Sequence, residues 1–106
     1  MPDKDEATEA LLKALGEEIR SWRLRRKMTR GDLAGQVGIS ETTMGRIERE
    51  GPADVGDTWR IARELGISFP DLVRRAEEAA ALSVETPSLG AVASTERLEE
   101  PGEFNE

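Results

Sequence analysis

The side chains able to do chemistry in this 106-residue chain are arginines, hydroxyls and carboxylates, because histidine and cysteine are both absent. That absence removes thiol nucleophiles, disulfides, imidazole acid–base catalysis and the usual zinc ligand sets. The neighbouring carboxylates Glu17-Glu18 and Glu77-Glu78 diverge on a helix, so they read as solvated charge and not as a catalytic pair. No glycine-rich phosphate loop follows a strand pattern. What remains is a concentration of cations. Between residues 20 and 49, Arg20, Arg23, Arg25, Arg26, Lys27, Arg30, Arg46 and Arg49 stand against only three acidic residues, Asp32, Glu41 and Glu48. The net charge of the whole chain is −7, but the acidity is peripheral: residues 1–14 carry −2, residues 82–106 carry −5, and 15–81 balance. Local field, not net charge, governs attraction to phosphate. The chemistry on offer is hydrogen bonding and ion pairing with an anionic partner. Neither an enzyme, a cofactor nor a metal site is implied.

These cations need a scaffold, and the stretch Met28–Gly51 supplies one. Thr29 is a good N-cap, with Asp32 three residues on as the other half of a capping box. Leu33, Ala34 and Val37 then fall on one helical face. Gly38 stands where the chain must leave the helix with positive φ, and Ile39 can plug the angle that follows. Ser40 caps a second helix whose Met44 and Ile47 face inward three residues apart. Glu41, Thr42, Thr43, Gly45, Arg46 and Arg49 are left pointing elsewhere. A helix buried on one side and polar on the other, held by a short preceding helix, has the geometry that enters a DNA major groove. Arg30 opens the first of the two helices, where its side chain and free backbone N–H groups can both meet a phosphate. Thr43, Arg49, Lys27, Arg20 and Arg23 are further phosphate candidates. Any single arginine is also readable as an ordinary solvated charge, Arg20, Arg25 and Arg26 especially.

The flanking sequence supplies three more helices. Residues 3–27 repeat apolar side chains at three- and four-residue steps through Leu11, Leu12, Leu15, Ile19 and Trp22. The part before Leu15 is either a frayed tail or an extension whose Ala7, Leu11 and Leu12 pack on a partner subunit or under the fifth helix. After Gly51-Pro52, Asp54 caps a helix through Leu65, with Val55, Thr58, Trp59, Ile61, Ala62 and Leu65 inward and Gly66 ending it. Ser68 caps the last helix, with Pro70 and Asp71 in its first turn and Leu72, Val73 and Ala76 inward. Both tryptophans are expected in the core. The reading is a compact all-α domain of five helices over 15–82, with a helical extension over 1–14. Residues 83–106 mix Pro, Gly, Ser, Thr and Glu with scattered apolar residues, and cannot bury enough surface to offset their ordering entropy. They are expected to be a disordered acidic tail, either simply solvated or able to fold on a partner protein, compete with DNA for the basic face, or act as a proteolytic handle. No apolar run approaches the ~18 residues of a membrane span, the N-terminus is unlike a signal peptide, and a cysteine-free chain suits the cytoplasm.

Residues 15–73 resemble the Xre/Cro/cI-type helix-turn-helix family of phage repressors and bacterial regulators. The resemblance rests on Leu15-Gly16, Ile19-Arg20, Arg23, Met28-Thr29, Leu33-Ala34, Gly38-Ile39-Ser40, Thr43-Met44, Arg46-Ile47-Glu48-Arg49, Gly51, Ile61-Ala62, Leu65-Gly66-Ile67 and Leu72. The chain departs from the pattern at Gly31, Gly35 and Gly45, inside helices where glycine costs roughly 1 kcal/mol relative to alanine. The resemblance implies a lambda-repressor-like domain and a sequence-specific transcriptional regulator of double-stranded DNA, a repressor that binds a two-fold operator as a homodimer. It assigns base readout to Glu41, Thr42 and, one turn on, Arg46, with Gly45 between them. Arg46 can reach guanine O6 and N7, and Thr42 can meet a thymine methyl. Glu41 either accepts from a cytosine amino group or stabilises the helix dipole, and Gly45 either admits close backbone approach or is merely tolerated. The resemblance also pairs Arg23 with Glu48, tying the first helix to the recognition helix. The alternative is an antitoxin-like interaction protein, whose C-terminal tail binds a partner and whose DNA binding is autoregulatory. The last helix or the N-terminal extension would supply the dimer contact.

Overall fold

Helix ends in this chain follow local capping chemistry, and the computed structural model, which describes residues 6–85, places five α-helices between them. They are α1 (Glu6–Arg25), α2 (Arg30–Val37), α3 (Glu41–Glu50), α4 (Val55–Leu65) and α5 (Phe69–Glu85), with no strand among the described residues. The expected all-α, five-helix architecture is what forms. Thr29 and Asp32 make the full capping box: the Thr29 N–H donates to Oδ2 of Asp32 at 3.1 Å, and the Asp32 N–H donates to Oγ1 of Thr29 at 3.0 Å. The Thr29 backbone N–H, and after it the Thr29 side chain, hold the Asp32 carboxyl below the usual aspartate range. Ser40, Asp54 and Ser68 each accept from a backbone N–H of the turn they open, as expected. Gly38 ends α2 at φ 91°, a left-handed conformation that lets its N–H and that of Ile39 both return to the Ala34 carbonyl.

The core threads all five helices. Leu15 and Ile19 of α1, Leu33 and Val37 of α2, Met44 and Ile47 of α3, Ile61 and Leu65 of α4, and Leu72 and Ala76 of α5 are buried together. The longest helix, α1, packs most extensively against α5 and next against α3. Its N-terminal half lies along α5, where Ala10 and Ala14 line a groove with Ala79 and Ala80, while Ala7, expected to pack, stays exposed. Leu12 instead meets Gly51, the residue that ends α3. The α1–α3 crossing is close enough to exclude a side chain. A Cβ added to Gly16 would lie 2.5 Å from the Ile47 carbonyl oxygen and 2.8 Å from that of Glu48.

Several expectations need correction. The first helix ends at Arg25, not at 27, because Lys27 adopts φ 59°. The N–H of Lys27 reaches the Leu24 carbonyl and that of Met28 reaches Arg23, a Schellman closure with lysine where glycine is usual. Trp59 and Val55, expected on the inner face of α4, are 49% and 73% exposed. The buried positions Thr58, Ile61, Ala62 and Leu65 already form a complete i, i+3, i+4, i+7 stripe, which leaves Trp59 beside it and Val55 at the first turn. Trp59 is covered by a guanidinium instead, Arg63, 4.8 Å from its ring centroid. Trp22, also expected in the core, is only partly buried against it. The last helix continues to Glu85, past the expected end at Leu82, while the expected tail beyond it and the start of the N-terminal extension, 1–5, lie outside the described residues.

Candidate nucleic-acid interface

What fixes α3 in place is a buried ionic knot. Glu48 sits on the inner side of α3, and its side chain is only 2% exposed. Arg23 of α1, 7% exposed, meets it with both arms of its guanidinium: Nε donates to Oε2 at 2.6 Å and Nη2 to Oε1 at 3.2 Å. Its remaining arm, Nη1, donates to the Met28 carbonyl at 2.9 Å, at the turn that leads into α2. A two-pronged arginine–carboxylate pair fixes orientation as well as distance. One arginine thus ties α1, the α1–α2 turn and α3 together. The sequence resemblance named this pair. It did not name the second cation, Arg30 of α2, whose Nε donates to the same Oε1 at 3.4 Å. Contacts across 18 residues leave no local signal, and the sequence marks Arg30 only as a phosphate ligand.

Around this knot the other expected site residues separate by exposure. Thr42 and Arg46 are exposed on α3, one turn apart. Gly45, between them in sequence, is buried: a Cβ there would stand 3.5 Å from Cδ of Arg30 and 3.3 Å from Nη1 of Arg49. Two arginines therefore lie over Gly45, at distances a Cβ would meet with only a small shift of the Arg49 side-chain end. Arg30 keeps 41% of its side chain exposed while reaching Glu48. Arg49 is exposed at the last turn of α3. Glu41 is exposed too, and its carboxylate leans over the start of α2, 3.3 Å from where a Gly31 Cβ would be. Anionic groups are favoured at a helix N-terminus, so this carboxylate serves α2 as well as the first turn of its own helix.

The hydroxyls form a second, smaller arrangement. Ser40 accepts the Thr43 N–H at 3.0 Å and donates its own proton to Oγ1 of Thr43 at 2.9 Å. The Thr43 hydroxyl proton is left to be donated outward, the role a phosphate-contacting threonine needs. Lys27 is exposed at its left-handed turn, close in sequence to Arg30. Arg20 shares with Gly16 and Arg23 the side of α1 turned toward α3, with its own side chain exposed. The arrangement is an exposed helix with polar and cationic side chains, beside a second helix N-terminus bearing an arginine. It offers hydrogen-bond donors and positive charge on one exposed surface. Among the described residues no group of His, Cys, Asp or Glu could hold a metal ion, and no helix is long and apolar enough to cross a membrane.

Comparison with known proteins agrees with this geometry. Two solved structures of the clp gene regulator ClgR from Corynebacterium glutamicum are similar to the chain. One has a TM-score of 0.70 at 26% identity over 76% of this chain and 86% of that one. The other has a TM-score of 0.62 at 25% identity over 66% and 91%. No curated protein matches. The family model described as "Helix-turn-helix domain" matches residues 14–76, which include the capping box, the Arg23–Glu48 pair and all of α2 and α3. More than half of the chain is matched, and the protein belongs to the helix-turn-helix domain family.

Proposed function

We propose that this protein is a sequence-specific, DNA-binding transcriptional regulator of the Xre type, acting in the cytoplasm as a homodimeric repressor on a two-fold operator. The observation that carries this reading is the exposed Thr42–Arg46 edge of α3, on a helix held by the buried Arg23–Glu48–Arg30 knot. A rigid helix with its readout side chains unencumbered is what major-groove recognition requires. In this reading Arg46 donates to guanine, Thr42 meets a neighbouring base, and Glu41 divides its carboxylate between base readout and the N-terminus of α2. Gly45 works indirectly, seating Arg30 and Arg49 so that they reach the bordering phosphates together with Thr43, Lys27 and Arg20. One such domain reads only a few base pairs, so a dimer on paired half-sites supplies the rest of the specificity. The family match and the likeness to a protein described as a gene regulator support the regulatory role.

Footprinting the full chain on DNA from upstream of its own gene, at two salt concentrations, tests the reading. Paired protections about one helical turn apart that weaken steeply with salt are expected. Uniform protection without half-sites, or none at low salt, contradicts it.

A further inference from the structure

Away from the α2–α3 face, three arginines surround one tryptophan. The Trp22 ring centroid lies 4.6 Å from Cζ of Arg25, 5.5 Å from that of Arg75 and 6.0 Å from that of Arg26. Arg25 is the last residue of α1, Arg26 follows it and Arg75 belongs to α5, and Arg26 also reaches over the backbone of Gly66 in the α4–α5 turn. On α1 the next residue, Arg23, is turned toward α3, so the Trp22 side of the helix faces a different direction. All three guanidiniums are exposed, and none has a carboxylate partner among the described residues. The acids about one turn from Arg75 along α5, Asp71 and Glu78, are both engaged by Arg74. Three like charges gathered on one ring without an anion form a surface that attracts one.

We infer that this Arg25–Arg26–Arg75 surface around Trp22 docks the acidic segment 96–106 of the same chain. That segment carries Glu96, Glu99, Glu100, Glu103 and Glu106 against a single Arg97, with Leu98 and Phe104 as apolar residues to lie along the tryptophan. Arg75 stands ten residues before the end of α5 at Glu85, about 15 Å back along the helix. Residues 86–95 span roughly 33 Å when extended, more than enough to return the acidic segment to it. The α3 face is the poorer seat. Arg30 there is already held by Glu48, and Glu41 and Glu50 stand among its cations. The open, exposed character of the Trp22 cluster suits an extended acidic peptide.

The chain has no cysteine and two tryptophans, so one nitroxide and two indole signals give a clean test. Full-length Asn105→Cys protein carries the spin label, and the indole N–H signals of Trp22 and Trp59 are compared with the label oxidised and reduced. At low salt the Trp22 signal is expected to lose intensity while Trp59 keeps it. The loss should vanish in high salt, in Arg25→Glu/Arg75→Glu, and in a variant with Glu96, Glu99, Glu100 and Glu103 all changed to Gln, which leaves the helical domain untouched. Mixing isotope-labelled chain without nitroxide with unlabelled spin-labelled chain should produce no loss. An undiminished Trp22 overturns the inference, as does loss centred on Trp59 or on the amides of Thr42 and Arg46. Loss that survives both charge variants also overturns it, and loss in the mixed sample replaces the same-chain contact with one between copies. A DNA duplex that shifts Trp22 equally in wild type and in the tail Glu→Gln variant would assign the cluster to phosphate instead.

Discussion

Glu48 shows how one buried residue can fix the placement of an exposed helix face. A carboxylate this deeply buried is tolerated because Arg23 and Arg30 complete its hydrogen bonds. Removing one partner strands the other charge, so Arg23→Ala should lower the unfolding free energy by about 3–5 kcal/mol, read from urea denaturation. Arg30→Ala should cost far less, since Arg30 is partly solvent-exposed and its bond is long. Asp32 gives a pH prediction. Its carboxyl is held below the usual range by Thr29, so its contribution to stability is present above the unfolded-state value and is lost as pH falls through the depressed folded value. The stability gap between wild type and Asp32→Asn should therefore persist at neutral pH and close only on acidification below the ordinary aspartate range, as followed by urea midpoints. A gap that widens on acidification would contradict this sign. The capping box and the Arg23–Glu48 pair were legible in the sequence, the first from local spacing and the second only through family resemblance. The Arg30–Glu48 bond was not, because side-chain reach between helices has no sequence period.

At the scale of elements, glycines that look alike in sequence separate into different classes once their neighbours are known. Nothing lies within 4 Å of a Cβ built on Gly35 in α2, so Gly35→Ala should raise stability by about 0.5–1 kcal/mol through helix propensity alone. Gly16→Ala must push α1 off the backbone of α3 and should destabilise by about 1–3 kcal/mol. Thermal unfolding of the two variants should move in opposite directions. The helices themselves were readable because apolar periodicity and caps agree in α2, α3 and α5. Trp59 was misplaced because an aromatic residue at the edge of a full apolar stripe looks identical in sequence to one within it. The end of α1 was misjudged because Lys27 takes a left-handed conformation usually left to glycine. Lysine there carries backbone strain at a position where its charge stands close to Arg30 in sequence.

Across the whole molecule, charge is segregated: a net −7 chain presents its positive field on the segment that holds α2, α3 and the end of α1. Affinity for DNA should fall linearly with salt on logarithmic axes, and Arg30→Ala should weaken all sequences alike while reducing that slope by about one. Arg46→Ala should behave differently, because a base contact is worth about 1–3 kcal/mol at one position only. The most direct measurement is therefore selection of bound sequences from random duplexes, with wild-type protein and Arg46→Ala in parallel. Wild type is expected to enrich a two-fold motif, and Arg46→Ala to lose preference at one symmetry-related position in each half-site, leaving the rest intact. An unchanged motif with Arg46→Ala, or no enriched motif with wild type, would contradict readout by the exposed edge of α3.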